Sequence, residues 1–206
     1  MLTKKSNSPR RSIKATNAGL FLIFAVSVVL QGCESQHKPG YFEEYESAIV
    51  EVNNLLAPES EDAQNSDALF ENMELLFSDL KHPELEQRIE KTYASDLYFN
   101  DTLRTYRTLD EVADYLLETA DRVIETRAQF VEISRSDESF FVRWKMSIKI
   151  NVNGDIIETE SIGVSQVKFN ASGKVVFHQD FWDNTEGLFR HLPVVGYVLN
   201  KTIKKL

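Results

Sequence analysis

Titratable side chains interrupt an apolar stretch at residues 175–184, which reads VVFHQDFWDN. His178, Asp180 and Asp183 stand there between large apolar residues. A carboxylate that faces an apolar cavity loses hydration, so its pKa rises and it becomes a usable base near neutral pH. The alternative is that the strand turns polar where it leaves its sheet, with Asp183 acting as the N-cap of a following helix.

The alternation of a β-strand decides which of these side chains point the same way. It predicts that Val176, His178, Asp180 and Trp182 share one face of the strand, because side chains alternate with a period of two. His178 and Asp180 would then reach the same cavity, where a nearby hydroxyl or imidazole could stabilise developing negative charge. The ring-bearing candidates are Tyr93, Tyr98 and Trp144. The simpler alternatives are that Asp180 accepts a structural hydrogen bond and that the rings belong to the core.

Other chemistries find no matching pattern in the sequence. It contains no G-x-S-x-G elbow, no glycine-rich phosphate loop and no H-E-x-x-H motif. The four histidines are scattered along the chain at positions 37, 82, 178 and 191. We therefore expect neither a metal site nor a cofactor.

Helical patterns occupy the first part of the chain that would position these residues. Apolar residues recur at helical spacing over 41–56 and 67–80, and a third helix begins near Pro83 with Leu85, Ile89 and Tyr93 inward. The short segment at 96–101 then has the pattern of a strand. Thr108 and Glu111 form a capping box, which predicts a further helix that ends near residue 122.

The period then changes from 3.6 to 2, which predicts strands at 124–134, 139–151, 156–169 and 174–183. Their connections are short, and Asn153-Gly154 is a strong two-residue hairpin signal. Consecutive short turns predict an antiparallel meander with one buried face. Helices followed by such a sheet predict an α+β fold, with the helices packed on one face.

Three segments resemble the SnoaL-like proteins of the nuclear transport factor 2-like superfamily. They are TYASDLYFND, RTLDEVADYLL and GKVVFHQDFWD, and the resemblance covers roughly residues 66–185. It implies a cone-shaped, curved antiparallel sheet wrapped around N-terminal helices, with an apolar cavity. In SnoaL-like cyclases a strand of this pattern carries an aspartate that moves a proton next to a carbonyl, and Asp180 falls at that position.

The first 32 residues differ from the rest of the chain. They contain five basic residues, no acidic residue and the apolar run GLFLIFAVSVVL, which together are typical of a secretory signal peptide. The run ends in LQGC, which resembles a bacterial lipobox, so the only cysteine, Cys33, is the predicted lipidation site. The alternatives are an uncleaved transmembrane anchor and an unmodified thiol. Glu34 is not the aspartate that typically retains lipoproteins at the inner membrane, so we expect the outer membrane, facing the periplasm.

Charge is distributed unevenly along the chain. All 32 acidic residues lie after position 32, which makes the mature body strongly acidic and argues against a nucleic-acid partner. The last 23 residues are the exception, with four basic residues and one acidic residue. Their apolar residues from Val195 onward are predicted to fall on one helical face, opposite Lys201, Lys204 and Lys205. This tail is predicted either to lie on anionic lipid or to dock on the domain and close the mouth of the cavity.

The chain is therefore divided into a signal peptide (1–32), a tether with an extra amphipathic helix (33–65), a SnoaL-like domain (66–185) and a basic tail (186–206). Three functions stay open. The first, which the sequence favours, is an envelope lipoprotein that binds a small apolar ligand or a partner. The second is a lyase or isomerase with Asp180 as base. The third is a structural envelope protein that pairs with a second copy through its open sheet face.

Overall fold

The computed structural model describes residues 40–56, 66–152 and 154–205, in which Phe42–Leu206 form one compact unit. The predicted signal peptide, Cys33 and the tether up to residue 39 lie outside the described residues. The loop predicted after the first helix is described only up to residue 56, where the described part of the chain is interrupted. The structural description below therefore concerns the predicted domain, the helix before it and the tail after it.

The predicted helices are present, with boundaries shifted by a few residues. They are α1 (Tyr41–Leu55), α2 (Ser66–Ser78), α3 (Leu85–Thr92), α4 (Leu109–Arg122), α5 (Asn184–Gly187), a 3₁₀-helix (Phe189–His191) and α6 (Pro193–Ile203). The capping box is confirmed, because the Thr108 hydroxyl accepts from the Glu111 backbone and the Glu111 carboxylate accepts from the Thr108 backbone. None of the helices in the described ranges is both long and apolar enough to cross a bilayer.

Six strands form one sheet, which confirms the α+β class. They are β1 (Tyr93–Asn100), β2 (Thr105–Thr108), β3 (Val123–Ser136), β4 (Ser139–Val152), β5 (Asp155–Phe169) and β6 (Val175–Trp182), in the order β2-β1-β6-β5-β4-β3. The predicted meander from β3 to β6 is antiparallel throughout. The β1–β6 pair is parallel and β2 is an additional strand; neither follows from a local sequence signal.

The two faces of the sheet bury different helices. On the face that we call the inner face, α2, α3 and α4 pack on the sheet through residues such as Phe70, Ile89, Leu116 and Val142. On the opposite, outer face, α1 packs through Ala48 and Val52 against Ala94, Tyr98 and Phe177. The prediction that the helices share one face is therefore wrong for α1. A helix that precedes the domain has no short connection that would force it to the inner side.

Polar contacts fasten α1 to the outer face of β5. The Tyr45 hydroxyl donates to Gln166 Oε1 at 2.7 Å, and the buried Lys168 ammonium donates to the side chain of Asn53. Burial lowers the pKa of Lys168, against the opposing effect of Glu138 nearby. The outer face is thus a second, smaller core that is separate from the helices of the inner face.

A β-bulge in β6 changes which side chains face inward. Phe169 pairs with Val175 whereas Lys168 pairs with Phe177, so Val176 is an extra residue on β6. Val175 belongs to the inner core, while Val176 and Phe177 both belong to the outer cluster. The predicted inward direction of Val176 is therefore wrong, and regular alternation resumes only after the bulge.

Candidate functional site

A cavity of about 140 Å³ lies between α2, α4 and the inner face of the sheet. Its wall is almost entirely apolar and rich in rings, which come from Phe77, Phe99, Tyr115, Phe130, Trp144 and Trp182. Two carboxylates, Asp101 and Asp180, and the imidazole of His178 interrupt this apolar lining. The titratable pair that the sequence singled out thus lies in the wall of a largely apolar cavity.

His178 connects Asp180 to Tyr93 through both of its ring nitrogens. The Tyr93 hydroxyl lies 2.7 Å from His178 Nδ1, and His178 Nε2 lies 2.8 Å from Asp180 Oδ1. Tyr93 is fully buried and His178 almost so, whereas the Asp180 side chain keeps 16% of its accessible surface. Of these three hydrogen-bonded groups, only the Asp180 carboxylate retains access to the open side of the site.

The environment of Tyr93 bears on which groups of this hydrogen-bonded series carry protons. Burial, and after it the Asp180 carboxylate, raise the pKa of Tyr93 well above its ordinary value, so the phenol keeps its proton. Where a neutral His178 donates from Nε2 to the Asp180 carboxylate, its Nδ1 is an acceptor and Tyr93 is the donor.

Ser165 and Trp144 hold Asp180 from the other side. The Ser165 hydroxyl donates to Asp180 Oδ1 at 2.5 Å, and the Trp144 indole N–H donates to Ser165 Oγ at 2.9 Å. The indole covers Gly163, its partner on β5; a Cβ there would lie 2.3 Å from Trp144 Cζ2. The absence of a side chain at Gly163 gives the indole its position.

These contacts form one polar network across four neighbouring strands. It runs from Trp144 on β4 through Ser165 on β5 to Asp180 and His178 on β6, and ends at Tyr93 on β1. Both hydrogen bonds to the carboxylate of Asp180 reach Oδ1, and among the described residues Oδ2 accepts none. The network therefore fixes the carboxylate and leaves one oxygen for a bound molecule.

Asp101 has the opposite character, because both of its oxygens are used by the fold. Oδ1 accepts from the backbone N–H groups of Leu103 and Arg104, and Oδ2 accepts from the Tyr115 hydroxyl. The Asp101 carbonyl accepts from the indole N–H of Trp182 at 2.9 Å. Burial, and then Asp101, raise the pKa of Tyr115 strongly. Asp101 thus holds the β1–β2 turn and two cavity rings in place.

The predicted site residues separate into three groups. His178, Asp180 and Trp144 line the cavity, and Tyr93 lies behind it, where it supports His178. Tyr98 does not line the cavity: it lies on the outer face, where its ring stacks on Phe177 and its hydroxyl donates to Gln179. Tyr98 had been a candidate only because its strand register was unknown.

Asp183 is the N-cap of α5, as the structural alternative proposed. Its side chain accepts from the backbone N–H groups of Thr185 and Glu186.

Sequence reasoning missed the roles of Ser165 and Tyr115, whose signals were weak. The capped helix α4 points to Tyr115 only as an inward residue, and Ser165 becomes visible only when the register of β5 and β6 is known.

A wider groove adjoins the cavity at Ala128, Met146 and Ser161, which line both. This open groove of about 830 Å³ carries charges of both signs, including Arg127, Lys145, Glu160, Asp183 and Glu186. The site therefore has a narrow apolar base and a polar outer part. In the ranges that the structure describes, no cluster of three histidine or acidic side chains has the geometry of a metal site.

Solved structures with this architecture define the class of fold. A SnoaL-like protein from Shewanella denitrificans OS-217 superposes with a TM-score of 0.52 at 16% identity, over 60% of this chain and 93% of that one. An LEH-like epoxide hydrolase of M. tuberculosis has a TM-score of 0.51 at 14% identity, over 68% and 95%. TsrD from Streptomyces laurentii has a TM-score of 0.51 at 11% identity, over 66% and 98%. The chain thus has the SnoaL-like, nuclear transport factor 2-like fold that its sequence predicted.

Within that fold, the chain belongs to the family described as "Uncharacterized conserved protein (DUF2358)", whose model matches residues 71–178. The match extends from α2 to His178 of the candidate site. No curated protein matches the chain.

Proposed function

We propose that this protein is a lipid-anchored envelope protein that binds a small molecule with an apolar body and one hydrogen-bond donor. The observation that carries the proposal is the position of Asp180. Its carboxylate is fixed in the wall of an apolar cavity by His178 and Ser165, which both bind Oδ1 and leave Oδ2 for a ligand. A partly buried carboxylate beside apolar groups loses hydration, and a donor on the ligand would offset that loss.

The cavity volume limits the size of the ligand. A cavity of about 140 Å³ compares with an engineered apolar cavity of about 150 Å³ that binds benzene. The lining rings offer stacking and edge contacts to a planar ligand of that size. The ligand, or the part of it that enters the cavity, is therefore about one six-membered ring in size.

The donors around the cavity favour binding over carbonyl chemistry. The hydroxyls of Ser165 and Tyr115 and the indole N–H groups of Trp144 and Trp182 already donate to protein acceptors. A substrate carbonyl at these four groups would have to displace one of their bonds to gain the stabilisation that an enolate requires, which leaves the Ser161 hydroxyl as a further donor of the cavity wall. A ligand that donates to Asp180 Oδ2 leaves all of them intact.

Native mass spectrometry of the protein purified from its own host tests retention of a ligand directly. Phenol and benzene then test the recognition, because they share a ring and differ by one donor. We expect phenol to bind at least about tenfold more tightly than benzene in calorimetry, as a hydrogen bond to a charged group contributes about 1.5–3 kcal/mol. Asp180→Asn should reduce this preference, whereas the matched variant Asp183→Asn should keep it.

The outcomes separate the competing functions. If phenol and benzene bind equally, the cavity binds the ring and Asp180 does not contribute to its recognition. A protein that retains nothing and binds neither probe would refute ligand binding and favour the structural envelope protein.

Proton abstraction next to a carbonyl is the second candidate, and the open Oδ2 of Asp180 is the observation that favours it. A cyclic ketone such as cyclopentanone fits the size limit and reports on this chemistry in D₂O. Loss of its α-proton signals in NMR, faster than in buffer and abolished by Asp180→Asn, would establish the enzyme. Exchange at the buffer rate would exclude it for ketones of this size.

The lipid anchor of the proposal rests on the sequence alone. Its support is the LQGC motif that follows a basic and then an apolar segment, with Cys33 as the modified residue. Glu34 after the cysteine favours the outer membrane, where the domain would face the periplasm. Separation of inner and outer membranes on a density gradient, followed by immunodetection, tests this location.

A further inference from the structure

The C-terminal helix α6 exposes most of its apolar side chains. Val194 is 76% exposed, Tyr197 65% and Val198 55%, and Val195 and Ile203 are each 42% exposed. An exposed apolar helix of this kind marks an interaction surface. We call these five residues, with the lysines described below, the α6 surface.

A narrow contact seats α6 and leaves this surface open. A Cβ at Gly196 would lie 2.1 Å from the Arg190 carbonyl oxygen, so the glycine allows the helix to approach the preceding backbone closely. Gly196 is the one buried residue among those residues of α6 whose burial the structure describes. The helix therefore rests on the preceding 3₁₀-helix through its glycine.

The charges of the tail are arranged around the apolar residues. At 100° per residue, Val195, Val198 and Ile203 occupy one side of the helix, while Val194, Tyr197 and Lys201 lie close together on the adjoining side. The Lys201 ammonium lies 5.8 Å from the centre of the Tyr197 ring, and Lys204 and Lys205 follow at the end of the helix. Residues 193–206 contain no acidic residue, in a chain whose formal net charge is −9.

We propose that α6 lies in the interface of an anionic membrane, with Val195, Val198 and Ile203 toward the acyl region and its lysines at the headgroups. A bilayer surface combines the two features that match α6, since it presents anionic groups directly above an apolar phase. The 11 residues of α6 extend over about 16 Å at 1.5 Å per residue, which is half of a hydrocarbon core of about 30 Å. The helix would therefore lie along the surface.

Vesicle binding tests this surface separately from any lipid on Cys33. A protein that begins at Ser35 lacks the cysteine and retains the compact unit Phe42–Leu206. We expect it to sediment with vesicles that contain 30% phosphatidylglycerol, and to bind pure phosphatidylcholine vesicles at least tenfold more weakly. Replacement of Lys201, Lys204 and Lys205 by Gln should reduce binding to the anionic vesicles by at least tenfold, because each basic residue near such a surface contributes.

Matched apolar variants separate insertion from simple charge attraction. The double variant Val195→Ser and Val198→Ser should weaken binding several-fold with little change in melting temperature, because both side chains are exposed. Ile156→Ser is the control, since Ile156 is 62% exposed on the β4–β5 hairpin and should leave binding unchanged.

Three results would overturn the proposal. The first is equal binding to anionic and neutral vesicles. The second is unchanged vesicle binding together with a melting temperature that drops by several degrees in the valine variant, which would mean that α6 docks on the domain. The third is a dimer in analytical ultracentrifugation that the valine variant dissociates, which would identify a second copy as the partner.

Discussion

Ser165 and Asp180 are direct partners across β5 and β6, and the Ser165 hydroxyl donates to the same carboxylate oxygen that His178 contacts. This shared acceptor couples two otherwise separate sides of the site. Trp144 depends on it through Ser165, and Tyr93 depends on it through His178. Removal of one member should therefore affect the others.

Ser165→Ala tests this coupling through stability. The variant removes one donor to Asp180 and leaves the Trp144 indole N–H, which is buried, without its acceptor. An unsatisfied buried donor costs about 1–3 kcal/mol, so we expect a loss of that size in the free energy of unfolding from urea titrations. In a Trp144→Phe background the same change should cost less, because no indole N–H is left unpaired. Equal costs in both backgrounds would contradict the coupling.

Gly163→Ala tests whether the missing side chain at position 163 allows the observed position of the Trp144 indole. The new Cβ would lie 2.3 Å from Trp144 Cζ2, so the ring has to move. Overpacking of this kind costs about 1–3 kcal/mol, and the displaced indole should change the tryptophan fluorescence and lose its bond to Ser165. Trp144→Phe should relieve the cost of Gly163→Ala. A full cost in that background would show that the alanine strains the strand itself.

Local signals predicted much of this architecture, and the reasons are physical. The capping box at Thr108 and the hairpin between β4 and β5 each depend on a few adjacent residues, and both are present. The parallel pairing of β1 with β6 joins residues about 80 positions apart, such as Phe99 and His178. No local pattern encodes such a contact, because it arises from the tertiary packing of the whole sheet.

The site itself depends on one extra residue in β6. If the pairing of Phe169 with Val175 continued without the bulge at Val176, Asp180 would be opposite Val164. The bulge shifts the register by one position and brings Ser165 to Asp180 instead. The pattern of His178 and Asp180 was therefore visible in the sequence, whereas their connection to Ser165 and Trp144 was not.

Tyr93→Phe tests whether the Tyr93 hydroxyl keeps its proton in the folded protein. The raised pKa of Tyr93 means that the folded protein keeps a proton that the unfolded chain releases near pH 10. Its contribution to stability is thus fully present below about pH 10 and is lost as the pH rises further. Circular dichroism of urea unfolding between pH 8 and 11.5 should show a shallower alkaline decline for Tyr93→Phe. Tyr115→Phe should act in the same direction, since the pKa of Tyr115 is also raised. An unchanged slope in Tyr93→Phe would mean that Tyr93 releases its proton in the folded state.

Cys33→Ser tests the proposed lipid anchor. If LQGC is a lipobox, the variant should accumulate as uncleaved precursor and should not incorporate labelled palmitate. Gel mobility and label incorporation in whole cells measure both effects, and Ser35→Ala, two residues away, is the matched control that should be processed normally. A serine variant that is still cleaved and still acylated would refute the anchor.

Asp180→Asn and Asp183→Asn separate a ligand-binding carboxylate from a structural one. Asparagine at position 180 keeps an oxygen that can accept from Ser165 and His178, so the free energy of unfolding should change by only about 1 kcal/mol. Asparagine at position 183 should also be mild, because it caps a helix about as well as aspartate. Only the change at 180 should alter ligand retention, since Asp180 lines the cavity and Asp183 lies in the outer groove. If Asp180→Asn instead unfolds the domain while binding per folded molecule stays intact, the carboxylate serves the fold rather than a ligand.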